Sequence, residues 1–361
     1  MKNIHRFIST FVLLTSPVAC ITFFGLSSCA KKDEHLDYQS QYADFINERT
    51  FSMYCKIPGT TYISIGTGWL FKRVANAQYS YYLATNTHVA SNYSRTSDIS
   101  MYLSYNQNYT NPNCYLSQNQ YYLIQPSSYT LLGDVIDQQK DTRPYFPDWN
   151  LGSYIACMDF DVFKIDFGSE QNIKANDPFK INNTSPLLDR LNFLNDYADN
   201  HEQNLVEFAE SDYVYKKNMS VHVGGFPVQP YPTNKNLTYP QWISYQTSLT
   251  EYYFGHTPQH PIISPSPKND IRFRDDIPIA ILGKAVGYES ETTTKFTGGS
   301  SGSMIIDDNN VVIGINFAGN SDDNNQYYSY DNYGLLLNTR NSFFGKENNY
   351  EVFTDWFTNL T

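Results

Sequence analysis

The sequence predicts a mainly β protein, a sandwich or barrel whose strands fall into two halves separated by a helical segment. Three observations predict it. From about Arg49 onward, short runs rich in β-branched and aromatic residues are broken every few residues by Gly, Asn or Pro. Aromatic residues reach 16% of the 361, with 31 Tyr and 23 Phe, more apolar surface than a disordered chain carries. Helical periodicity, by contrast, is confined to one internal segment and to stretches near the two ends.

The elements follow in chain order. Residues 1–28 contain no acid, set Lys2 and Arg6 ahead of an apolar stretch from Phe7 to Phe24, and end in Leu26-Ser27-Ser28 before Cys29. This is the pattern of a secretory signal. Leu-Ser-Ser-Cys resembles the bacterial lipobox. The resemblance implies cleavage before Cys29, a diacylglycerol on its thiol, and a mature protein held by lipid on the extracellular face of the cell membrane. The net charge of −11 becomes −13 once the two leader bases are gone. Such a surface repels nucleic acid and anionic headgroups alike, so no nucleic-acid partner is expected and the anchor has to be lipid.

Residues 29–48 read as a polar tether in which Tyr38–Ile46 fits a short helix. A first β-half, residues 49–170, holds strands near 50–55, 61–65, 68–72, 81–85, 100–105, 121–124 and 160–166. Residues 171–215 form an insertion between the halves. Within it, Thr184-Ser185-Pro186 starts a helix, and Leu187, Leu191, Leu194 and Ala198 share one helical face. A second half, residues 216–361, holds strands near 220–223, 241–249, 279–288, 303–306, 311–317 and 333–337. It ends in a helix with Phe353, Trp356, Phe357 and Leu360 on one face.

Beyond Cys29 the cysteines are Cys55, Cys114 and Cys157, odd in number and without metal-like spacing. Any single pair among them remains open. His201, His222, His256 and His260 are scattered, and His256-x-x-x-His260 encloses Pro258, so it is not a helical zinc pair. Neither metal nor cofactor is expected.

Three segments carry chemistry. Gly66-Thr67-Gly68 is followed by Thr85-Asn86-Thr87-His88-Val89-Ala90, which sets a histidine directly after an apolar strand, at the rim of a β-half. Asp159-Phe160-Asp161 opens the strand toward Ile165, and its two carboxylates point to the same side of an extended chain. Gly298-Gly299-Ser300-Ser301-Gly302-Ser303 leads into an apolar strand. Its glycines allow a tight bend that exposes a hydroxyl and turns successive N–H groups into one hollow. The order His, Asp, Ser is that of the chymotrypsin triad, not of subtilisin or the α/β-hydrolases.

Thr85-x-x-His88 is similar to the histidine box of chymotrypsin-fold and HtrA-type peptidases, and Gly299-Ser300-Ser301-Gly302-Ser303 to their nucleophile loop. Together with the lipobox, Asp159-Phe160 through Asp166-Phe167, and Val223-Gly224-Gly225-Phe226-Pro227, the chain resembles the mycoplasma immunoglobulin protease family over about residues 49–345. The resemblance implies two six-stranded antiparallel β-barrels of the chymotrypsin kind, with the helical insertion between them and the helix at the C-terminus.

It further implies a serine endopeptidase with His88 as base, Asp159 as orienting acid and Ser301 as nucleophile. The N–H groups of Gly299 and Ser301 form the oxyanion hole. Asp159 is preferred to Asp161 because the family keeps the acid five residues before the residue that ends the strand, here Lys164. Lys295, six before the serine, falls where the fold often forms the S1 pocket and hints at an acidic or polar P1. Ser300 stands where trypsin-like enzymes carry Asp, so activation by a buried new N-terminus is not implied.

The substrate class is protein or peptide, with host immunoglobulin, presented by a helper immunoglobulin-binding lipoprotein, as one member. Relatives that cleave immunoglobulin are larger, so the resemblance does not fix that substrate. The competing reading is a catalytically inactive lipoprotein that keeps the peptidase scaffold as an adhesin or ligand-binding surface protein.

Overall fold

The computed structural model describes residues 33–56, 63–90, 100–106, 123–134, 155–157, 160–210, 213–216, 218–230, 238–253, 263–264, 279–281, 285–289, 298–321, 329–337 and 360. The chain divides into a unit of residues 1–44 and a unit of residues 45–361. In the first, the described residues are helical. They belong to helix α1 (Asp33–Arg49), longer than the helix expected in the tether.

The second unit is mainly β. Its first sheet comprises β1 (Thr50–Lys56), β2 (Ile63–Arg73), β3 (Ser80–Thr85), β4 (Ser100–Ser104), β5 (Ser128–Asp134) and, after the short β6 (Ile155–Cys157), β7 (Asp161–Asp166). The order across the sheet is β4-β1-β2-β3-β7-β5. Leu103 of β4 and Ile124 exchange both backbone hydrogen bonds, at 2.7 and 2.8 Å, and Ile124 lies just ahead of β5, so the six strands close into a barrel.

Strands expected at 61–65 and 68–72 are one strand, because the glycines between them do not break it. A Cβ on Gly66 would fall 2.3 Å from Val89 Cγ1, and one on Gly68 would fall 2.4 Å from Met53 Sδ. Close approach, not a turn, is what these glycines serve.

Helix α2 (Thr87–Ala90) is a single turn between β3 and β4 of the first half; between the halves run α3 (Glu170–Asn176) and α4 (Pro186–Asp199). Ser185 caps α4 by accepting from the Leu188 N–H, and Pro186 occupies its first turn. Leu187, Leu191, Leu194 and Ala198 are fully buried, and they pack with Phe51, Met53, Leu70, Tyr81, Leu83 and Phe163 of the barrel. The helical segment therefore completes the first barrel's core.

Asp177 fixes that lid. Buried itself, it accepts from Tyr105 Oη at 3.0 Å, Ser185 Oγ at 2.6 Å, and the N–H groups of Phe179 and Leu187 at 3.0 and 2.9 Å. Arg49 joins the start of β1 to the end of the helical segment. Its Nε donates to the Leu205 carbonyl at 2.6 Å, and its guanidinium lies over Phe45 and Tyr197. Burial lowers its pKa from the ordinary arginine value.

The second sheet takes β8 (Glu207–Phe208), β9 (Ser220–Gly225), β12 (Ile243–Tyr253), β15 (Ala285–Glu289), β16 (Met304–Ile306), β17 (Val311–Ser321) and β18 (Ser329–Leu336). A hairpin of β10 (Val228–Pro230) and β11 (Thr238–Pro240) projects beside it. A small sheet joins β13 (Ile263–Ser264), β14 (Ile279–Ile281) and β6. The order β16-β9-β12-β15-β18-β17, with β17 pairing back to β16, closes a six-stranded antiparallel barrel. Val221, Val223, Leu249, Ile305, Ile313 and Leu336 fill it.

Strand β8 adds to β17 in parallel, and Phe208 packs on Trp69 and Phe71 of the first barrel at ring distances of 6.0 and 5.9 Å. Two six-stranded antiparallel barrels joined by a helical segment are thus the fold, as the family resemblance implies. The expected C-terminal helix lies outside the described residues, as do Cys29 and Cys114.

Candidate active site

The site lies where the two barrels meet, and its parts are best followed from Thr67. This residue stands in β2 between two glycines and is fully buried. Its backbone N–H donates to the Ser301 carbonyl at 2.8 Å. Its hydroxyl donates to the Gly299 carbonyl at 2.9 Å and accepts from the Phe226 N–H at 3.0 Å. Its own carbonyl accepts from Thr85 Oγ1 at 2.7 Å. One residue of the first barrel therefore ties down the serine loop, the Gly224-Gly225-Phe226 strand end, and the strand that leads to His88.

His88 lies in α2, the turn that follows β3. The turn is formed by the N–H groups of Val89 and Ala90, which donate to the Asn86 carbonyl at 3.1 and 2.9 Å. Val89 fills the space over Gly66. The histidine turn thus rests on the residue that precedes Thr67, while Thr67 itself holds the serine loop.

The serine loop is a chain of held carbonyls. Gly298 O accepts from the Val228 N–H at 2.7 Å, Gly299 O from Thr67 Oγ1, and Ser301 O from the Thr67 N–H. Ser300 O accepts from the Ser303 N–H at 3.0 Å, from Ser303 Oγ at 2.6 Å and from Asn316 Nδ2 at 3.1 Å. In a trans peptide the N–H points opposite to the carbonyl. The Gly299 N–H is therefore turned away from Val228, and the Ser301 N–H away from Asn316 and Ser303. Among the described residues, neither amide donates to a backbone carbonyl.

Glycine is required at two places in this loop. Gly299 has φ +89° and Gly302 φ +92°, both left-handed. A Cβ at Gly302 would fall 1.9 Å from the Thr67 carbonyl oxygen. Ser301 between them is partly exposed, whereas Ser300 and Ser303 are buried. Of the three serines, only Ser301 has its side chain near solvent, which is what a nucleophile needs.

Asp161 opens β7 and is fully buried, opposite Thr85 in the β3–β7 register. Asp159 and Lys295 lie outside the described residues. Sequence reasoning missed the Thr67 hydroxyl and Asn316. Asn316 carried a signal, a lone amide in the apolar run Val311–Phe317. Thr67 carried none beyond its two flanking glycines, because a threonine in a strand needs no further reason.

Among solved structures, the chain resembles the Rv3671c protease from M. tuberculosis in its active form, with 12% identity over 82% of this chain and 78% of that one, at a TM-score of 0.40. It also resembles the HtrA-type protease AlgW with tripeptide, with 11% identity over 82% of this chain and 59% of that one, at a TM-score of 0.38. Among curated proteins no sequence matches. The family model for mycoplasma immunoglobulin protease matches residues 40–122 and 133–318, which include the histidine turn, both candidate acids and the serine loop. The chain belongs to the mycoplasma immunoglobulin protease family and, with it, is a peptidase acting on protein or peptide substrates.

Proposed function

We propose that this peptidase is a serine endopeptidase in which Ser301, His88 and Asp159 act together. The observation that carries the reading is the position of Thr67, bonded to the Ser301 carbonyl while its neighbour Gly66 is covered by Val89 of the histidine turn. In the reaction, Ser301 Oγ attacks the scissile carbonyl carbon as His88 removes its proton, because a serine hydroxyl is too weak an acid to attack unaided. The carbonyl oxygen becomes an anion facing the Gly299 and Ser301 N–H groups. The C–N bond then breaks, His88 returns the proton to the leaving amine, and water releases the acyl group from Ser301 by the same steps.

The acid is taken to be Asp159. The choice follows the family pattern, which sets the acid five residues before Lys164, while Asp161 pairs with Thr85 in the β3–β7 register. The Thr85 hydroxyl is already committed to the Thr67 carbonyl.

The enzyme acts at the extracellular face of the membrane through a lipid on Cys29. Immunoglobulin, offered by a helper lipoprotein, is the first substrate to try, and Lys295 favours an acidic or polar P1. The test is to incubate residues 30–361 with immunoglobulin and with an unbiased peptide library, alongside labelling by a fluorophosphonate. Labelling and cleavage present in the wild type and abolished in Ser301→Ala and His88→Ala support the reading. A folded wild-type protein that neither labels nor cleaves overturns it in favour of a binding lipoprotein.

A further inference from the structure

We infer that the Thr67 hydroxyl is a positioning residue for the oxyanion hole, an inference that rests on the serine-peptidase reading above. A hydroxyl has one hydrogen to donate and lone pairs to accept with. Here the hydrogen goes to the Gly299 carbonyl and a lone pair takes the Phe226 N–H, at 2.9 and 3.0 Å. The Phe226 bond leaves the hydroxyl hydrogen aimed at one acceptor, so the Gly299–Ser300 peptide is held in one orientation from the first barrel.

The peptide on the other side of Gly299 is held from the β10–β11 hairpin, by the Val228 N–H on the Gly298 carbonyl. Gly299 is thus clamped at both flanks. It needs to be, since a glycine at φ +89° has no side chain to limit its rotation. The Gly299–Ser300 peptide carries neither oxyanion donor but joins the two peptides that do, so a rotation that releases the Thr67 bond turns the Gly299 and Ser301 N–H groups away from a common point. The Phe226 carbonyl lies 2.9 Å from where a Gly299 Cβ would stand, so a larger residue cannot replace the clamp by sterics.

Thr67 touches neither substrate nor the reacting atoms, so its effect falls on transition-state binding and not on the ground state. Losing a whole oxyanion donor costs about a hundred- to a thousandfold in rate. Thr67→Val keeps the shape and removes both bonds, and it should lower kcat by about ten- to a hundredfold, a part of that loss.

The experiment compares wild type, Thr67→Val and Thr67→Ser, each as the mature chain, for kcat and KM on one peptide, for inhibition by a peptidyl boronate, and for melting temperature. The expected result is that Thr67→Val loses kcat with KM little changed, loses boronate affinity by the same factor as kcat/KM, and that Thr67→Ser restores both. Wild-type kcat in a folded Thr67→Val overturns the proposal, as does an equal loss in Thr67→Ser. If Thr67→Val does not fold, Thr67→Cys, with a weak donor of similar size, takes its place. Equal rates for Thr67→Cys and Thr67→Ser then overturn the proposal. A wild type that fluorophosphonate fails to label removes the serine-peptidase reading and this inference with it, whereas a labelled wild type with an undiminished Thr67→Val removes this inference alone.

Discussion

Thr67 donates its backbone N–H to the carbonyl of Ser301 at 2.8 Å, while its hydroxyl holds Gly299, 232 positions away in the chain. Among the described residues, the two barrels are therefore joined at the candidate site by one main-chain bond and one bond from a hydroxyl to a main-chain carbonyl. Ser300 stands where trypsin-like enzymes carry Asp, and its carbonyl is held by Ser303 and Asn316. Nothing in this arrangement calls for a new N-terminus to order the loop. It is organised by bonds that exist once the barrels have folded.

Gly302 should tolerate no side chain. Alanine there meets the Thr67 carbonyl at 1.9 Å and has to hold φ +92°. The left-handed conformation alone costs about 1–2 kcal/mol, and a clash with backbone adds to it. Gly302→Ala is expected to lower the melting temperature and abolish labelling of Ser301. Gly298→Ala is the control, since a Cβ there has nothing within 4 Å. Its stability should stay within about 0.5 kcal/mol of wild type. Thermal melts of both variants check the pair, and equal melting temperatures would refute the argument.

Asn316 should matter more than an ordinary strand amide. Its Nδ2 donates to the Ser300 carbonyl at 3.1 Å, its backbone N–H to the Ser303 carbonyl at 2.8 Å, and its carbonyl accepts from the Gly302 N–H at 2.8 Å. Asn316→Ala removes the side-chain bonds to the Ser300 carbonyl and hydroxyl but leaves that carbonyl its two donors from Ser303, so it costs about 1 kcal/mol. Asn316→Asp is expected to be worse, because it turns a carboxylate oxygen toward the Ser300 carbonyl. The rate of fluorophosphonate labelling, wild type first, then Asn316→Ala, then Asn316→Asp, is the measurement.

How much of this was legible in the sequence differs by element. The helix from Pro186 was legible in full, because its cap at Ser185 and its apolar face are local signals. The strand through Gly66 and Gly68 was not, since those glycines answer to Val89 and Met53, residues distant in sequence whose contact no local pattern reveals. The serine loop was recognisable from its glycines and from family resemblance. Its carbonyl partners were hidden, because Thr67 and Asn316 reach it from other strands. The long strand β12 ran past the expected end at Leu249 to Tyr253, carried by its pairing with β15. The run expected at 279–288 is two strands in different sheets.

Asp177 should be the most sensitive acid outside the site. It accepts four hydrogen bonds from Tyr105, Ser185, Phe179 and Leu187, which tie the α3–α4 connection to β4's end. Asp177→Ala strands several buried donors and is expected to cost about 2–4 kcal/mol, while Tyr105→Phe removes one donor and costs about 1 kcal/mol. Urea unfolding of the two variants separates the values. If Asp177→Ala costs no more than Tyr105→Phe, the carboxylate does not organise the lid as described.

His222 gives the fold a pH dependence of definite sign. It is buried in β9, with Nε2 2.8 Å from Asp308 Oδ1. Burial pushes its pKa below the ordinary histidine value, and the bond to Asp308 opposes but does not reverse the shift. The folded protein therefore binds this proton less readily than the unfolded chain. Between the folded pKa and the unfolded value of about 6.5, the unfolded state holds more protons, so stability rises with pH. The contribution is fully present above about pH 6.5 and is lost as the pH falls through that window toward the folded value. Replacing the ring by a group that does not titrate, His222→Gln, should flatten the slope of unfolding free energy against pH across this interval. Urea midpoints measured from pH 7.5 down to 5 for both proteins provide the test, and parallel curves would show that His222 does not set the dependence.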